Sequence, residues 1–362
     1  MSPHLLCSGQ AAVAEGAVVE YRALGQTGVK VSNFCLGALM FGAWGNRDHD
    51  DSVRIIHRAL DAGINFIDTA DVYSGGESEE IVGKALAGPR RDTVVLSTKV
   101  YETMGEDPNS RGNSRRWIFQ EVDNSLRRLG TDWIDLYQIH RPTPDTDIDE
   151  TLGALTDLVR AGKIRYCGTS TFEAYEIVEA QWAAERRNRE KFVCEQPPYS
   201  IFDRSIEADV LPTCQRYGIG VITWSPLAGG WLTGRYRIGR DLPTFHRSSR
   251  VPQRYDLSLE ANQHKLEVAD SLAVLADEAG MSLVHLALGF VLSHPAVTAA
   301  IIGPRTMEQL ESQIGAADLH LDDALLDRID EIVAPGVTLN EADAEWQRPS
   351  LTNPSLRRRR YP

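Results

Sequence analysis

The sequence predicts an α/β fold, a (β/α)8 TIM barrel with an N-terminal β-hairpin plug. Eight short apolar runs alternate with amphipathic helical patterns along the chain, which is typical of a barrel of parallel strands. Most of these runs are apolar throughout, as expected of strands that are buried on both faces. The alternative, a doubly wound open sheet, would usually place G-x-G-x-x-G after the first strand, but "GALMFGAWG" stands there.

The strands are predicted in chain order. The segment "VVEYRALGQTGVKVS" (18–32) reads as two short strands joined by a glycine-containing turn, and this hairpin would close the N-terminal end of the barrel. The barrel strands are rich in Val, Ile and aromatic residues, and they are predicted at 31–37, 64–70, 93–100, 133–140, 164–170, 191–196, 220–226 and 297–304.

Helices are predicted between the strands. The pattern over 50–63 places Val53, Ile56, Ala59 and Leu60 on one face and ends at a glycine. The other helical segments are predicted at 78–89, 114–130, 149–162, 172–190, 205–217, 258–293 and 307–317. No proline-rich linker or change of composition separates these units. We therefore predict a flexible leader (1–17), a single barrel domain (18–335) and a C-terminal tail (336–362).

Composition excludes several classes of protein. The chain has 362 residues, 42% of them hydrophobic and 25% charged, as in ordinary soluble globular proteins. The net charge of −13 argues against nucleic-acid binding. Five scattered cysteines without C-x-x-C pairing predict reduced thiols, a cytoplasmic location and no metal site. No apolar run approaches the roughly 20 residues that a membrane span needs.

Polar residues gather where the predicted strands end, which is where barrel enzymes carry their chemistry. These residues are Asp68, Tyr73, Lys99, His140, Ser170, Thr171, Gln196, Trp224, Ser225 and Arg305. These residues come from the ends of seven consecutive predicted strands. This shared position favours an active site over the alternative, in which each is an ordinary core or loop residue.

Four of them form a coherent chemical set. A tyrosine has a pKa of about 10, so it transfers protons poorly at neutral pH unless its surroundings change that value. An ammonium group at Lys99 would stabilise the phenolate of Tyr73 and lower its pKa, and the Asp68 carboxylate would keep the buried amine charged. His140 could orient a carbonyl oxygen or share the proton.

Longer motifs resemble the aldo-keto reductase superfamily over about residues 20–317, in the branch of potassium-channel β subunits and many bacterial reductases. The motifs are "DTADVY" with Lys99, "LRRLGTDWIDLYQIHRP" (126–142), "DRSIEADVLPTCQRYGIGVITWSPLAGGWLTGRY" (203–236) and "IIGPRTMEQLESQIGA" (301–316). The resemblance implies NADPH-dependent reduction of an aldehyde or ketone, with Asp68, Tyr73, Lys99 and His140 as catalytic tetrad. It also leaves an alternative, an NADPH-sensing regulatory protein that binds a partner.

The resemblance also implies a cofactor site across the barrel mouth without a Rossmann fold. Its residues would be Ser170, Thr171, Gln196, Trp224, Ser225, Pro226, Leu227, Gly229, Arg235, Gly303, Arg305, Gln309 and Gln313. Ser170 and Gln196 would hold the nicotinamide carboxamide, and Trp224 would stack on the nicotinamide ring. Backbone N–H groups between Ser225 and Gly229 would face the pyrophosphate. The guanidinium of Arg305 would suit a 2′-phosphate.

Some positions depart from the family pattern. Thr171 and Gln313 stand where many relatives have asparagine. At Thr171 a hydroxyl offers one hydrogen-bond donor where the amide of asparagine offers two. Arg235 stands where relatives often carry lysine near the phosphates, and Arg250 is a weaker candidate for the same role. The loop 237–257 is long and basic, and it is either a flap over the cofactor or a surface loop.

The substrate pocket would draw on the loops after the first, fourth and seventh strands, which supply Trp44, Arg141 and Trp231. This aromatic lining predicts a hydrophobic carbonyl compound as the small-molecule substrate. The tail "PSLRRRRYP" is either solvated or contacts a nucleotide or partner. The sequence leaves the oligomeric state open between monomer and homo-oligomer.

Overall fold

The computed structural model describes residues 19–241, 251–344 and 352–358. The predicted leader, Arg250 and residues 359–362 of the arginine-rich tail lie outside these residues. The strands are β1 (Tyr21–Ala23), β2 (Lys30–Ser32), β3 (Phe34–Gly37), β4 (Phe66–Asp68), β5 (Val95–Val100), β6 (Ile134–Ile139), β7 (Ile164–Ser170), β8 (Phe192–Gln196), β9 (Gly220–Thr223) and β10 (Val297–Ile302).

The last eight strands close a parallel barrel, confirming the predicted fold. Neighbouring strands pair in the order β3 to β10, and β10 returns to pair with β3. The run predicted as one strand over 31–37 is divided at Asn33, whose side-chain amide donates to the carbonyl of Ala317 over 2.7 Å. Its first part therefore belongs to β2 of the hairpin and its second part to β3 of the barrel.

Helices surround the barrel and alternate with its strands. They are α1 (His49–Asp61), α2 (Glu77–Ala85), α3 (Arg115–Leu129), α4 (Ile148–Arg160), α5 (Ala174–Arg187), α6 (Val210–Tyr217), α7 (Glu260–Glu278), α8 (Leu283–Ser293), α9 (Met307–Ile314), α10 (Asp323–Ile332) and α11 (Pro354–Arg357). Local sequence sets their ends. Ser114, for example, accepts a hydrogen bond from the backbone N–H of Trp117 at the start of α3, and Gly130 adopts a left-handed conformation at its end.

The segment predicted as one helical region over 258–293 consists of two helices. α7 and α8 meet at 93°, because the chain turns at Gly280 (φ +69°) and Ser282 caps α8 by accepting from the N–H of His285. Within the described ranges, no single helix has the length and apolar character of a membrane span. Among the described residues, this bent pair meets both criteria when its two helices are taken together.

The barrel interior is apolar at its N-terminal end. Phe66, Leu136 and Ile222 point into it from three strands, and Leu24 and Val31 of the hairpin region join the same buried cluster. The hairpin pairs antiparallel, with Tyr21 opposite Ser32, and it supplies the predicted plug. The polar side chains discussed below lie at the opposite end of the strands.

Candidate active site

The four residues predicted to act together do meet at the C-terminal end of the barrel. Asp68, Lys99 and His140 come from the ends of three adjacent strands, β4, β5 and β6. Lys99 Nζ lies 2.5 Å from Asp68 Oδ2 and 3.2 Å from the hydroxyl of Tyr73. The rings of Tyr73 and His140 meet edge to face, with centroids 5.8 Å apart. Phenol, ammonium, carboxylate and imidazole thus share one small region.

A short 3₁₀ turn over Tyr73–Gly76 places the phenol over the barrel mouth. Ser74 has φ +53° within it, a conformation that is uncommon outside glycine. Its hydroxyl donates to the carbonyl of Phe41 (3.1 Å) and accepts from the N–H of Trp44 (3.1 Å). The loop after β3 therefore holds the turn that carries Tyr73.

Lys99 is fully buried and charged. Burial alone would lower its pKa, but Asp68 and Tyr73 favour the ammonium form more strongly, so the pKa of Lys99 is raised. The ammonium also donates to the carbonyl of Thr69 over 2.8 Å. This agrees with the expectation that the carboxylate keeps the amine protonated.

The second oxygen of Asp68 accepts from three side chains. Ser97 Oγ, Gln138 Nε2 and Gln196 Nε2 lie 3.0, 3.2 and 2.9 Å from Oδ1. Sequence reasoning missed Ser97 and Gln138. Each stands two residues before a catalytic candidate on the same strand, so strand alternation, which places them on the same face, could have found them. Together these donors fix the carboxylate beneath the lysine.

The pKa of Tyr73 corrects one expectation. Burial raises it above its ordinary value, and the opposing effect of Lys99 does not cancel that shift. The phenol is therefore protonated at neutral pH, and the ammonium moderates the shift instead of reversing it. A protonated phenol beside an ammonium is suited to donate a proton to a developing oxyanion.

His140 is neutral in this environment. Burial is the main cause that holds its pKa well below the ordinary value, and the positive charges of Arg141 and Lys99 act in the same direction. Its Nδ1 is buried and has no hydrogen-bond partner among the described residues. A neutral imidazole can offer an N–H to a substrate oxygen without adding another charge.

The residues predicted around the nicotinamide carboxamide lie beside the tetrad. Ser170 Oγ donates to the carbonyl of Gln196 over 2.8 Å, and the Gln196 amide reaches Asp68 as described above. Thr171 has φ +58°, which is strained for a β-branched residue, and its hydroxyl donates to the carbonyl of Ser170 over 2.7 Å. The predicted contact of Thr171 with a carboxamide would need this hydroxyl to turn.

A buried acid missed by sequence reasoning supports this turn. Glu195 accepts from the N–H of Phe172 over 3.2 Å and from the hydroxyl of Thr169. Burial raises the pKa of Glu195 to about 8, although these hydrogen bonds oppose the shift. The sequence feature that could have identified Glu195 is an acid inside an otherwise apolar strand, because a charged group buried there needs hydrogen-bonding partners.

The loop after β9, residues 225–230 (the Gly229 loop), has the backbone expected of a phosphate-facing segment. Ser225, Ala228, Gly229 and Gly230 all have positive φ, and successive backbone N–H groups in such conformations can form an anion-binding concavity. Pro226 is buried and Leu227 half-buried. Before this loop, Trp224 packs its half-buried ring against the barrel interior.

The end of β10 adds cationic and polar groups. Arg305 is exposed, its backbone N–H donates to Gln309 Oε1 over 2.8 Å, and its carbonyl accepts from Asn46. Gln313 lies on α9 with its Oε1 buried and without a partner within the described part of the chain. Gly303 is exposed, and so is Arg235, which follows β9. Arg305 therefore supplies an exposed guanidinium group at the end of β10.

The three predicted substrate residues have different positions. Trp44 is half-buried with its ring centroid 6.2 Å from that of Tyr73. Arg141 donates to the carbonyl of His140 over 3.1 Å. Trp231 is fully buried, stacks on Tyr236 at 4.0 Å and donates to the carbonyl of Arg254. The prediction that Trp231 lines the pocket is therefore not supported in this structure, because its ring has no free surface.

Two further predictions can be compared with this geometry. Residues 251–257 of the proposed flap are described, and they pack against the Gly229 loop through a hydrogen bond from Tyr255 to the carbonyl of Gly229 (2.9 Å). Residues 242–250 lie outside the described part, so the flap stays a prediction. Among the described residues, no group of three or more His, Cys, Asp or Glu side chains is arranged to hold a metal.

Comparison with protein families identifies the chain. Residues 33–334 match the model of the aldo/keto reductase family. The chain belongs to this family. The resemblance predicted from its motifs is thereby confirmed, and membership supports an oxidoreductase activity. Aldo/keto reductases generally use nicotinamide cofactors.

Relatives of this chain include proteins named as oxidoreductases and proteins named as potassium channel β subunits. An uncharacterized oxidoreductase of Bacillus subtilis, YrpG, is 40% identical over 338 residues, covering 90% of this chain and all of the relative. The aldo-keto reductase YhdN of Bacillus subtilis is 36% identical, covering 84% and 91%. A probable voltage-gated potassium channel subunit beta of Arabidopsis thaliana is also 36% identical, covering 87% and 97%.

Proposed function

We propose that this protein reduces an aldehyde or ketone to the corresponding alcohol with NADPH. The observation that carries the proposal is the hydrogen bond of 3.2 Å between Lys99 Nζ and the Tyr73 hydroxyl, with Asp68 holding the ammonium from the other side. This arrangement presents one proton and one fixed positive charge at the mouth of the barrel. Both are needed where a carbonyl oxygen becomes an alkoxide.

The residues around the mouth fit a nicotinamide dinucleotide. The half-exposed ring of Trp224 offers a stacking surface, and the Gly229 loop offers backbone N–H groups with the conformation that suits a pyrophosphate. Arg235 and Arg305 offer two exposed guanidinium groups for phosphate. The reduced cofactor, when bound, supplies the hydride that reaches the carbonyl carbon.

The chain's own residues handle the proton. Tyr73 donates its phenolic proton to the substrate oxygen, and Lys99 stabilises the phenolate that remains. His140, which is neutral, orients the same oxygen through a ring N–H. In alcohol oxidation the phenolate takes the proton back. Asp68 makes no contact with the substrate and keeps Lys99 in its ammonium form.

A preference for NADPH over NADH is part of the proposal. The 2′-phosphate distinguishes the two cofactors, and a guanidinium binds phosphate in a planar, bidentate way. Arg305 stands directly before α9, whose N-terminus adds partial positive charge. We expect Arg305 to carry most of the discrimination.

A second candidate function is cofactor sensing with little turnover. Relatives named as potassium channel β subunits, from Arabidopsis thaliana and from rice, favour it. An intact tetrad is compatible with either function, so the geometry does not discriminate between them. In this second case the protein would bind NADPH and a protein partner without consuming the cofactor.

The test combines cofactor binding with turnover for the wild type and Tyr73→Phe. We expect the wild type to bind NADPH more tightly than NADH and to consume NADPH with members of a carbonyl panel. Tyr73→Phe should retain cofactor binding while its turnover falls by about 10²–10⁴-fold. Tyr217→Phe, which changes an exposed tyrosine on α6, is the matched control and should behave as wild type.

Each outcome separates the proposals. Unchanged turnover in Tyr73→Phe would refute the role assigned to the phenol. Binding of NADPH without turnover of any panel member would favour cofactor sensing.

A further inference from the structure

Three charged side chains are buried together beside the Gly229 loop. Arg254 and Lys265 are 1% and 0% exposed, and Asp343 is 5% exposed. Arg254 Nε lies 3.0 Å from Asp343 Oδ1, and Lys265 Nζ lies 2.6 Å from Asp343 Oδ2. The proposed mechanism uses none of these residues. Buried charges of this kind are costly to maintain, so the position of each one needs an explanation.

The network connects three separate parts of the chain. Arg254 belongs to a 3₁₀ turn over Pro252–Arg254, Lys265 lies on α7, and Asp343 belongs to a 3₁₀ turn over Glu341–Ala344. Lys265 Nζ also donates to the carbonyl of Arg254 over 3.1 Å. Asp343 therefore lies between two cations from neighbouring elements, and it is itself 89 residues away from Arg254 in the sequence.

The loop segment 251–255 is in turn bound to the Gly229 loop. The hydroxyl of Tyr255 donates to the carbonyl of Gly229 over 2.9 Å, and the indole N–H of Trp231 donates to the carbonyl of Arg254 over 3.1 Å. The rings of Trp231 and Tyr255 lie parallel, 6.1 Å apart. A Cβ at Gly229 would lie 2.6 Å from the Tyr255 hydroxyl, so the two segments are in close contact.

The C-terminal segment, residues 336–344, is itself fixed to the barrel. Thr338 Oγ1 donates to Asp203 Oδ1 over 2.7 Å. The amide of Asn340 donates to Asn262 Oδ1 over 2.8 Å, and Asn262 donates to the carbonyl of Gln253 over 3.0 Å. The segment that carries Asp343 is thus anchored at Asp203, and it contacts the loop segment 251–255 through both Asn340 and Asp343.

We infer that Asp343 is a positioning residue that holds the loop segment 251–255 against the Gly229 loop and thereby slows the release of the bound cofactor. The inference rests on the proposed function, because the Gly229 loop is where the pyrophosphate is proposed to bind. It assigns a role in cofactor retention to the C-terminal segment, which lies outside the tetrad.

The positive charges of Arg254 and Lys265 explain why Asp343 contributes to the position of the loop segment. Arg254 and Lys265 repel each other, and Asp343 is the acid that contacts both; Asp203 is the next carboxylate in its surroundings. Without the Asp343 charge, two buried cations would remain without their shared counter-ion. Burial already lowers the pKa of Lys265 to about 8, with Asp343 opposing the shift and Arg254 adding to it. Arg254 cannot lose its proton, so it would leave its position and take the loop segment with it.

The test measures the rate of NADPH release by displacement in a stopped-flow instrument. Asp343→Asn should release NADPH at least about tenfold faster than wild type, which corresponds to about 1.4 kcal/mol. Its single-turnover rate with bound NADPH and a saturating carbonyl substrate should stay near that of wild type, because the tetrad is unchanged. Asp343→Glu, which keeps the charge, should restore most of the slow release.

Glu341→Gln is the matched control, since it removes an exposed acid from the same 3₁₀ turn. It should release NADPH as wild type does. Should Asp343→Asn fail to fold, Tyr255→Phe deletes only the hydroxyl that reaches Gly229, and release should again be faster.

Wild-type release rates in the folded Asp343→Asn variant, or in Tyr255→Phe where the first variant does not fold, would overturn this inference alone. A wild-type chain that binds no NADPH would overturn the proposed function together with it.

Discussion

Replacing Asp68 with asparagine tests whether the carboxylate acts mainly by keeping Lys99 charged. The asparagine side chain would keep an oxygen for the three donors that approach Oδ1, from Ser97, Gln138 and Gln196. Its amide N–H₂ would then face the ammonium of Lys99, donor against donor. The buried ammonium would retain only two neutral oxygen partners, those of Thr69 and Tyr73.

The cost can be bounded in two ways. Removing one partner of a buried ion pair costs about 3–5 kcal/mol when the other charge stays. Alternatively Lys99 loses its proton, and neutralising an amine with an ordinary pKa near 10.4 at pH 7 costs about 4.6 kcal/mol. The two limits agree, so we expect Asp68→Asn to lower the free energy of unfolding by about 4 kcal/mol at pH 7.

The pH dependence separates these two mechanisms. If Lys99 is neutral in folded Asp68→Asn but protonated when unfolded, the unfolded state binds more protons below pH 10. Stability relative to wild type should then rise with pH by about 1.4 kcal/mol per unit. Urea unfolding of both proteins at pH 7 and pH 9 measures this, and the deficit should shrink by about 2–3 kcal/mol.

Two controls complete the experiment. Asp50→Asn breaks a surface pair with Lys84 (2.6 Å), where both side chains are more than half exposed, and it should leave stability essentially unchanged. The double variant Asp68→Asn with Lys99→Met should be more stable than Asp68→Asn alone, because no buried cation remains. A small deficit for Asp68→Asn that stays the same at both pH values would refute the reasoning.

Two further predictions concern the supporting residues. Glu195 has a folded pKa raised from 4.5 to about 8, so its contribution to stability is lost as the pH rises from 4.5 towards 8. The free energy of unfolding of Glu195→Gln should therefore rise relative to that of wild type by up to about 4 kcal/mol between pH 5 and pH 8. Urea unfolding measures this difference, and equal pH profiles would contradict the prediction. Gly229→Ala should lower the free energy of unfolding by about 1–2 kcal/mol, because alanine disfavours the left-handed backbone at this position. It should also weaken NADPH binding, because the new Cβ would lie 2.6 Å from the Tyr255 hydroxyl. Fluorescence titration measures the affinity for NADPH, and an unchanged affinity would count against the close contact.

Much of the fold could be predicted because its strands are buried on both faces. Such strands are apolar along their whole length, so the pattern of the sequence alone predicted all eight barrel strands. The errors fell where apolar character continues across a break. Asn33 divides one predicted strand, and the bend near Gly280 divides one predicted helix. The sequence "GMS" after α7 carried a signal for this bend, a glycine followed by a capping serine.

The site was predictable only in part. Asp68, Lys99 and His140 could be placed because each ends a strand of a barrel, which brings their side chains to one face. The position of Trp231 depends on which aromatic residues surround it, and no local pattern records that. The raised pKa of Tyr73 has a similar origin, since the degree of burial is a property of the folded mouth and not of the motif "DTADVY".

The tetrad and the proposed cofactor residues occupy different halves of the barrel. The former lie between Asp68 and His140, on β4 to β6, whereas the latter lie between Ser170 and Gln313, on β7 to β10. The amide of Gln196 reaches across to Asp68 and joins the two. Because of this separation, the two halves of the barrel could be recombined with the corresponding halves of a relative. A crossover placed in α4 would exchange cofactor preference as one module and leave the proton chemistry with the other, provided that the incoming half supplies a glutamine at the position of Gln196.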